Sequence, residues 1–381
     1  MKRIFFLLLP CLPSFFCMAN LQRNGFATTY QYVDNQYTEN DTVLWTADGF
    51  AYKKNGIRFY LQEDFSHYKK QIFTSVWSKS FEPNRIYVPV IIKEKINSIV
   101  VKVYEVSIDE EKKIYIQEAD GQDVIIYIWA LNTQGENQNS MQGFITRFIT
   151  THSGGLFYDR IYWLLQTFKF QNHPLCFDYS SMYFSNTPSV FHSIISDNDT
   201  HLTIPYISSY TRNNAFIEVY STKLSSNKKN EDPEHYQKPD EYILNTWALG
   251  IQDESFRNQI YTQKRFRTFE IDEDSYQEYK EAYWISDILA YKHGGITLQY
   301  PKNFFSERPH LCISASPFSN TDNQHSSDIK EFFVPEITAN KTQECSVRIH
   351  RITIKNNTII EITEADDNQA LAHMWVISEN R

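Results

Sequence analysis

Val101-Lys102-Val103-Tyr104 is written three times in this chain, returning as Ile217-Glu218-Val219-Tyr220 and as Val347-Arg348-Ile349-His350. In each copy an apolar residue alternates with a charge or a ring. Period-2 alternation marks a half-buried strand of an antiparallel sheet, packed on one face and free for another contact on the other. A hydrophobic-proline step precedes each copy: Val88-Pro89, Ile204-Pro205 and Val334-Pro335. Proline cannot donate to a ladder, so these positions read as sheet edges or strand starts.

The tryptophans keep the same beat. Trp45 and Trp129, Trp163 and Trp247, Trp284 and Trp375 form like pairs, separated by 84, 84 and 91 residues. Gly25-Phe26-Ala27-Thr28 recurs as Gly143-Phe144-Ile145-Thr146, and Glu118-Ala119-Asp120 before Trp129 recurs as Glu364-Ala365-Asp366 before Trp375. Self-similarity over such a length is the mark of a repeated module. The copies tile 20–141, 142–262 and 263–381, about 120 residues each and therefore a full small domain by size. Segments 86–92, 99–108 and 124–131 are β-branched and aromatic, bounded by Asn, Asp and Gly. The expected fold is all-β: three tandem antiparallel β-sandwich domains of seven or eight strands. The polar stretches 225–240 and 319–328 read as loops.

Residues 1–19 stand apart. A basic Met1-Lys2-Arg3, an apolar run and Cys17-Met18-Ala19 before Asn20 read as a cleaved secretory signal peptide. The expected location is secreted, periplasmic or on the cell surface, and Cys17 leaves a lipid anchor as the alternative. No later segment is long and apolar enough to span a membrane.

Several functions are disfavoured. A net charge of −9 and a pI near 5.7 argue against a nucleic-acid partner. There is no Gly-x-Ser-x-Gly elbow, His-Glu-x-x-His, phosphate loop or Cys-x-x-Cys. His192-Ser193 suggests a hydrolase, but its counterparts Thr74-Ser75 and Ile313-Ser314 keep the serine and lose the histidine. Asp197-Asn198-Asp199 and Asp120-Gly121-Gln122-Asp123 lack the closing glutamate of a calcium loop. The reading is therefore no enzyme, no cofactor and no metal. Beyond the signal segment stand Cys176, Cys312 and Cys345. The last two would pair if neighbouring strands meet, and are otherwise buried free thiols.

Phe184-Ser185-Asn186-Thr187-Pro188-Ser189-Val190-Phe191-His192-Ser193 and Phe305-Ser306-Glu307-Arg308-Pro309-His310-Leu311-Cys312-Ile313-Ser314 share one pattern. An aromatic and a proline lead to an apolar residue, then to a serine on the next strand. An apolar strand with an aromatic follows, as in Val101 to Val106. Each repeat closes on Trp129-Ala130-Leu131, Trp247-Ala248-Leu249-Gly250 or Trp375-Val376-Ile377. These stretches resemble the H-type lectin module, a small six-stranded antiparallel sandwich, and the closing strands are similar to those of phage tail-fibre tip domains. The resemblance implies galactose-type sugar binding in clefts between three neighbouring sandwiches. Three tandem copies would supply that trimer within one chain. The family's aromatic–imidazole pair falls on Gln117-Glu118 and Thr363-Glu364, and its arginine on Ser98, Asn214 and Glu344, so its sugar site is not kept in form.

Carboxylates also hold sugar hydroxyls through charge-assisted hydrogen bonds. Glu118, Asp120, Glu364 and Asp366 are thus candidate ligand contacts, and ordinary solvated turn residues otherwise. Trp129, Trp247 and Trp375 read as core, as do Trp45, Trp163 and Trp284. Trp77, outside the repeat pattern, is the candidate exposed aromatic. Lys102 and Tyr104, Glu218 and Tyr220, Arg348 and His350 share the strand face opposite the sandwich core. If the lobes pack as a pseudo-trimer, these six residues approach a common axis with Glu218 bridging two cations. If the lobes are strung like beads, they are solvated. The leading function is an exported, non-catalytic, lectin- or adhesin-like protein recognising glycans through loops or inter-lobe clefts. The alternative is a structural or partner-binding envelope protein.

Overall fold

The computed structural model of the chain describes residues 23–33, 36–61, 69–95, 97–121, 124–133, 140–150, 156–170, 174–179, 184, 187–196, 201–224, 242–251, 266–272, 275–300, 302–318 and 329–379. The expected signal segment and both polar loops lie outside them, as do the side chains of Trp45, Trp163 and Trp284. The described residues form strands, turns and no helix, so none is long and apolar enough to cross a membrane.

The first repeat holds β1 (Arg23–Val33), β2 (Gln36–Ala51), β3 (Ile57–Tyr60), β4 (Lys69–Ser78), β5 (Arg85–Lys95), β6 (Ser98–Ile108), β7 (Ile114–Glu118) and β8 (Val124–Thr133). The second holds β9 (Ser140–Thr150), β10 (Leu156–Phe170), β11 (Leu175–Asp178), β12 (Ser189–Ile195), β13 (His201–Tyr210), β14 (Asn214–Lys223) and β15 (Tyr242–Ile251). The third holds β16 (Phe266–Asp272), β17 (Ser275–Ala290), β18 (Ile296–Gln299), β19 (His310–Pro317), β20 (Ile329–Asn340), β21 (Glu344–Lys355), β22 (Thr358–Glu364) and β23 (Ala370–Glu379).

Strand order is the same in all three. One sheet runs β1-β2-β8-β4, repeated as β9-β10-β15-β12 and β16-β17-β23-β19. The facing sheet runs β5-β6-β3, repeated as β13-β14-β11 and β20-β21-β18, with β7 and β22 extending the outer edge of β6 and β21. Pro89, Pro205 and Pro335 lie on the first strand of this second sheet, which is an edge within each repeat's own strands, a placement that proline tolerates. Two residues on, each strand shifts register, after Ile91, Ile207 and Ile337. Such a bulge releases backbone groups from the ladder. Two of the three receive a strand from a neighbouring repeat: Ile91 pairs Ile195, and Ile337 pairs Trp77, both in parallel.

The alternation separates two kinds of interior. Ile99, Val101 and Val103 meet Ile126, Ile128 and Ala130 inside the first sandwich. Val347 and Ile349 meet Met374 and Val376 inside the third. The intervening residues of the closing strands point the other way. Trp129, Trp247 and Trp375 are only 5%, 4% and 1% exposed, yet they do not fill a sandwich. Their rings meet one another across the repeats, with centroids 6.2, 5.9 and 5.0 Å apart. They are buried as expected of core residues, but the interior they fill lies between repeats, because period 2 sets them on the face opposite Ile128 and Ala130.

Around these indoles the junctions run in one sense. Ser193 Oγ donates to the carbonyl of Ile72, Ser314 Oγ donates to that of Val190, and Ile313 N–H donates to Ser75 Oγ at 2.9 Å. The second repeat thus leans on the first, the third on the second, and the first meets the third. The residue two before each tryptophan follows suit. Asn245 Nδ2 donates to Ile72 O at 3.4 Å, Val190 N–H donates to His373 Nδ1 at 3.3 Å, and Asn340 Nδ2 donates to Tyr127 Oη at 2.8 Å. On the far side, Val88, Tyr104, Ile204, Tyr220, Phe332 and Ile352 belong to one apolar cluster fed by all three repeats.

Candidate functional site

Glu118 and Glu364 take the same place in two repeats and do the same job. Each carboxylate accepts a hydroxyl, from Tyr52 and from Tyr291, both at 2.6 Å. Each also accepts a backbone N–H of the turn that follows, from Asn55 and from Gly294. The turns need Gly56 (φ 91°) and Gly295 (φ 108°), where L side chains are strained. Lys102 and Arg348 lay their stems across those glycines: a Cβ there would stand 3.3 and 3.2 Å from the two Cγ atoms. The second repeat has Phe170 for the tyrosine and Pro174 for the glycine, so it cannot build this clamp. Burial, and then the hydrogen bond to the carboxylate, raise the pKa of Tyr52 and Tyr291. Burial acts to raise Glu364 too, but the Tyr291 and Gly294 hydrogen bonds and the Arg348 charge hold it below its usual range. Glu118 and Glu364 are therefore occupied as turn clamps. Asp120 and Asp366 are exposed beside them.

The bridge of Glu218 to Lys102 and Arg348, drawn for the case of a pseudo-trimer, is replaced by other partners. Glu218 Oε2 takes Lys330 Nζ at 2.7 Å and the Tyr206 hydroxyl at 3.0 Å. Arg348 faces Glu364 at 3.5 Å and donates through Nε to Gly294 O. The cause is local: a long cation stem is captured by the turn of its own repeat. The rings behave differently. Tyr104 and Tyr220 enter the apolar cluster common to the three repeats, while His350 goes to the junction with the first repeat.

That junction holds a groove that combines ring, hydroxyls and cation. Its walls are Phe81 from the first repeat, Gly294 to Thr297, Thr338, Ala339, Ser346 and Arg348 from the third, around about 470 Å³. Phe81 packs on Arg348, whose Cζ is 4.5 Å from the ring centroid, and on the His350 ring, also at 4.5 Å. Thr297 and Ser346 present their hydroxyls 2.9 Å apart on the sheet face. Below, His350 Nε2 lies 3.2 Å from Glu336 Oε2, and Ser78 Oγ donates to Glu336 Oε1. Trp77, the candidate exposed aromatic that reads otherwise as core, is half-buried here: its Nε1 donates to Thr338 O at 3.4 Å, and the Arg308 guanidinium lies 5.0 Å above its ring. Strand β4 and the turn after it thus deliver Trp77, Ser78 and Phe81 to the third repeat.

Phe81, Ser78, Glu336, Thr297 and Ser346 were missed by sequence reasoning. The signal was present in reverse. Glu336 stands where the other repeats have Val90 and Tyr206, and Phe81 where they have Asp199 and Asn320. The groove is made by departures from the repeat, whereas matching the copies selects what they share.

Other expected chemistry resolves simply. The Ser193 hydroxyl is spent on Ile72 O, so it is not poised as a nucleophile beside His192. Among the described residues no three of His, Cys, Asp and Glu gather to hold a metal. Cys312 and Cys345 are buried and unpaired, their thiols pushed up by burial, with Cys345 reaching about 12. Set against family models, curated proteins and solved structures, the chain matches none of them.

Proposed function

We propose that the chain is an exported, non-catalytic binding protein of lectin- or adhesin-like type. In this reading residues 1–19 are a signal peptide, and the repeats 20–141, 142–262 and 263–381 are three sandwiches closed as a pseudo-trimer within one chain. The groove between the first and third repeats takes a glycan. One observation carries the reading: an aromatic ring, a hydroxyl pair and a guanidinium from two repeats converge on one open cavity. Ligand sites combine apolar surface with a few placed polar groups in this way. The Phe81 ring suits the C–H face of a sugar, and Thr297, Ser346 and Arg348 suit its hydroxyls. The occupied carboxylate Glu364 serves the turn at Gly294 and Gly295 that shapes the groove wall, and Glu118 serves the equivalent turn of the first repeat. The resemblance to H-type lectins, whose clefts lie between sandwiches, agrees with this placement.

The test is a glycan array on the purified protein, followed by calorimetry of the hits. Thr297→Val with Ser346→Ala alters surface hydroxyls only, and should weaken the hits at least tenfold, about 1.4 kcal/mol, without lowering thermal stability. No saturable sugar binding, with a stable envelope partner isolated instead, would favour the assembly reading.

A further inference from the structure

The junction between the second and third repeats carries two histidines with no role in the groove. His373 lies on β23 with its imidazole fully buried. Its Nδ1 accepts the Val190 N–H of the second repeat, so Nδ1 carries no proton. The proton therefore sits on Nε2, which donates to Ser316 Oγ at 2.8 Å. The ring also meets the Tyr210 ring of the second repeat edge-on at 4.9 Å. His192 on β12 is close enough to act on His373 electrostatically, and its own Nδ1 is sealed from solvent with no hydrogen-bond partner. A second proton on His373, or a proton on His192 Nδ1, has no acceptor to receive it. On His373 it would set an N–H against the Val190 N–H.

We propose that this junction is an acid-sensitive latch: it is closed while His192 and His373 are neutral, and protonating them breaks the Val190–His373 bond and parts the second repeat from the third. Burial holds His192 down to about 4, and burial together with the neighbouring His192 holds His373 down to about 3. The sign follows from linkage. Both rings are neutral in either state above their ordinary range, so they cost nothing at pH 7.5. As pH falls through about 6.5, the unfolded or opened form takes up protons that the closed form refuses, and closure is lost progressively toward pH 3–4. The other titratable groups around His373 are Tyr210 on β13 and, on β17, Asp287, one position along and facing away. Burial raises Asp287 to about 6, so it acts in the opposite direction and favours closure as pH falls through that value. No charged residue of β19 faces the ring: Ser314 lies opposite His373, and Ser316 Oγ accepts the hydrogen bond from its Nε2–H.

The repeats supply their own control residues. The positions of His192 and His373 are held elsewhere by Thr74 and Asn245. Thermal stability of the full protein is measured at pH 7.5 and 5.0, for wild type and for His192→Thr with His373→Asn. Each histidine should weigh about 30-fold against closure at pH 5, and the pair about a thousandfold. The double variant should lose most of the wild-type drop. Amide exchange at Val190, corrected for intrinsic rate, should rise on acidification in wild type only. An equal drop in wild type and variant would overturn the latch. If the variant does not fold, the histidine ring protons of wild type decide by NMR titration: midpoints below about 5 support the latch, and two midpoints near the ordinary 6.5 overturn it.

Discussion

The inside of a sandwich and the space between repeats are equally dry, but they are built differently. Inside the first sandwich, Ile99, Val101, Val103, Ile126 and Ile128 form an apolar cluster, with buried Asp48 opposite Ile128 on the neighbouring strand. Between repeats, three indoles share the junctions with buried Ser75, Ser193, Ser314, Asn245, His373, Glu336 and His350. Apolar faces attract without direction. Three modules of one strand order with apolar junctions only could dock in any order. Hydroxyl, amide, imidazole and carboxylate groups must find their own partners, because a buried polar group left unpaired costs more than a pair gains. Each junction carries a different set, so each repeat fits one neighbour.

The sharpest break in that contrast is Trp375→Ala. It should cost about 3–5 kcal/mol in denaturant unfolding, as large aromatic truncations do, although the indole lies outside its own sandwich. Next is Glu336→Ala, which strands Ser78 and His350 at one junction. A loss of about 2–3 kcal/mol is expected from buried partners left unsatisfied, with no comparable effect from Val90→Ala beyond its smaller volume. Glu364→Gln tests a clamp inside one repeat and should cost about 1–2 kcal/mol. Because the clamp depends on an ionised carboxylate held below its usual range, that share of stability is present above about pH 4.5 and fades as pH falls through the lowered value. Asp120→Asn and Asp366→Asn should move stability by less than about 0.5 kcal/mol, since both side chains are exposed.

Much of the frame was legible. The three-fold writing of Val101-Lys102-Val103-Tyr104 marks both the strand and its apolar face, because side-chain direction in a strand follows from period 2 alone. The same rule gave the rings at Tyr104 and Tyr220 a second interior. It did not say which interior took Trp129, because both faces of β8 are apolar and a run without alternation hides its orientation. The groove was illegible for a different reason. Phe81 lies in the turn after β4, where the other copies have Asp199 and Asn320, and Glu336 is an acid where they have Val90 and Tyr206. Such residues gain meaning only when a neighbouring repeat is placed against them. The cations at Lys102 and Arg348 misled because charge sign carries no range: the nearest turn captured them first.

The closure of the repeats on one another is tested most directly by a double-mutant cycle on Trp129→Phe and Trp375→Phe, read by equilibrium unfolding. These residues belong to different repeats, with ring centroids 5.9 Å apart. Closure predicts a coupling of about 0.5–1.5 kcal/mol between the two changes, the usual size for aromatic pairs. Effects that simply add, within about 0.3–0.5 kcal/mol as for distant sites, would mean that the repeats do not share this interior.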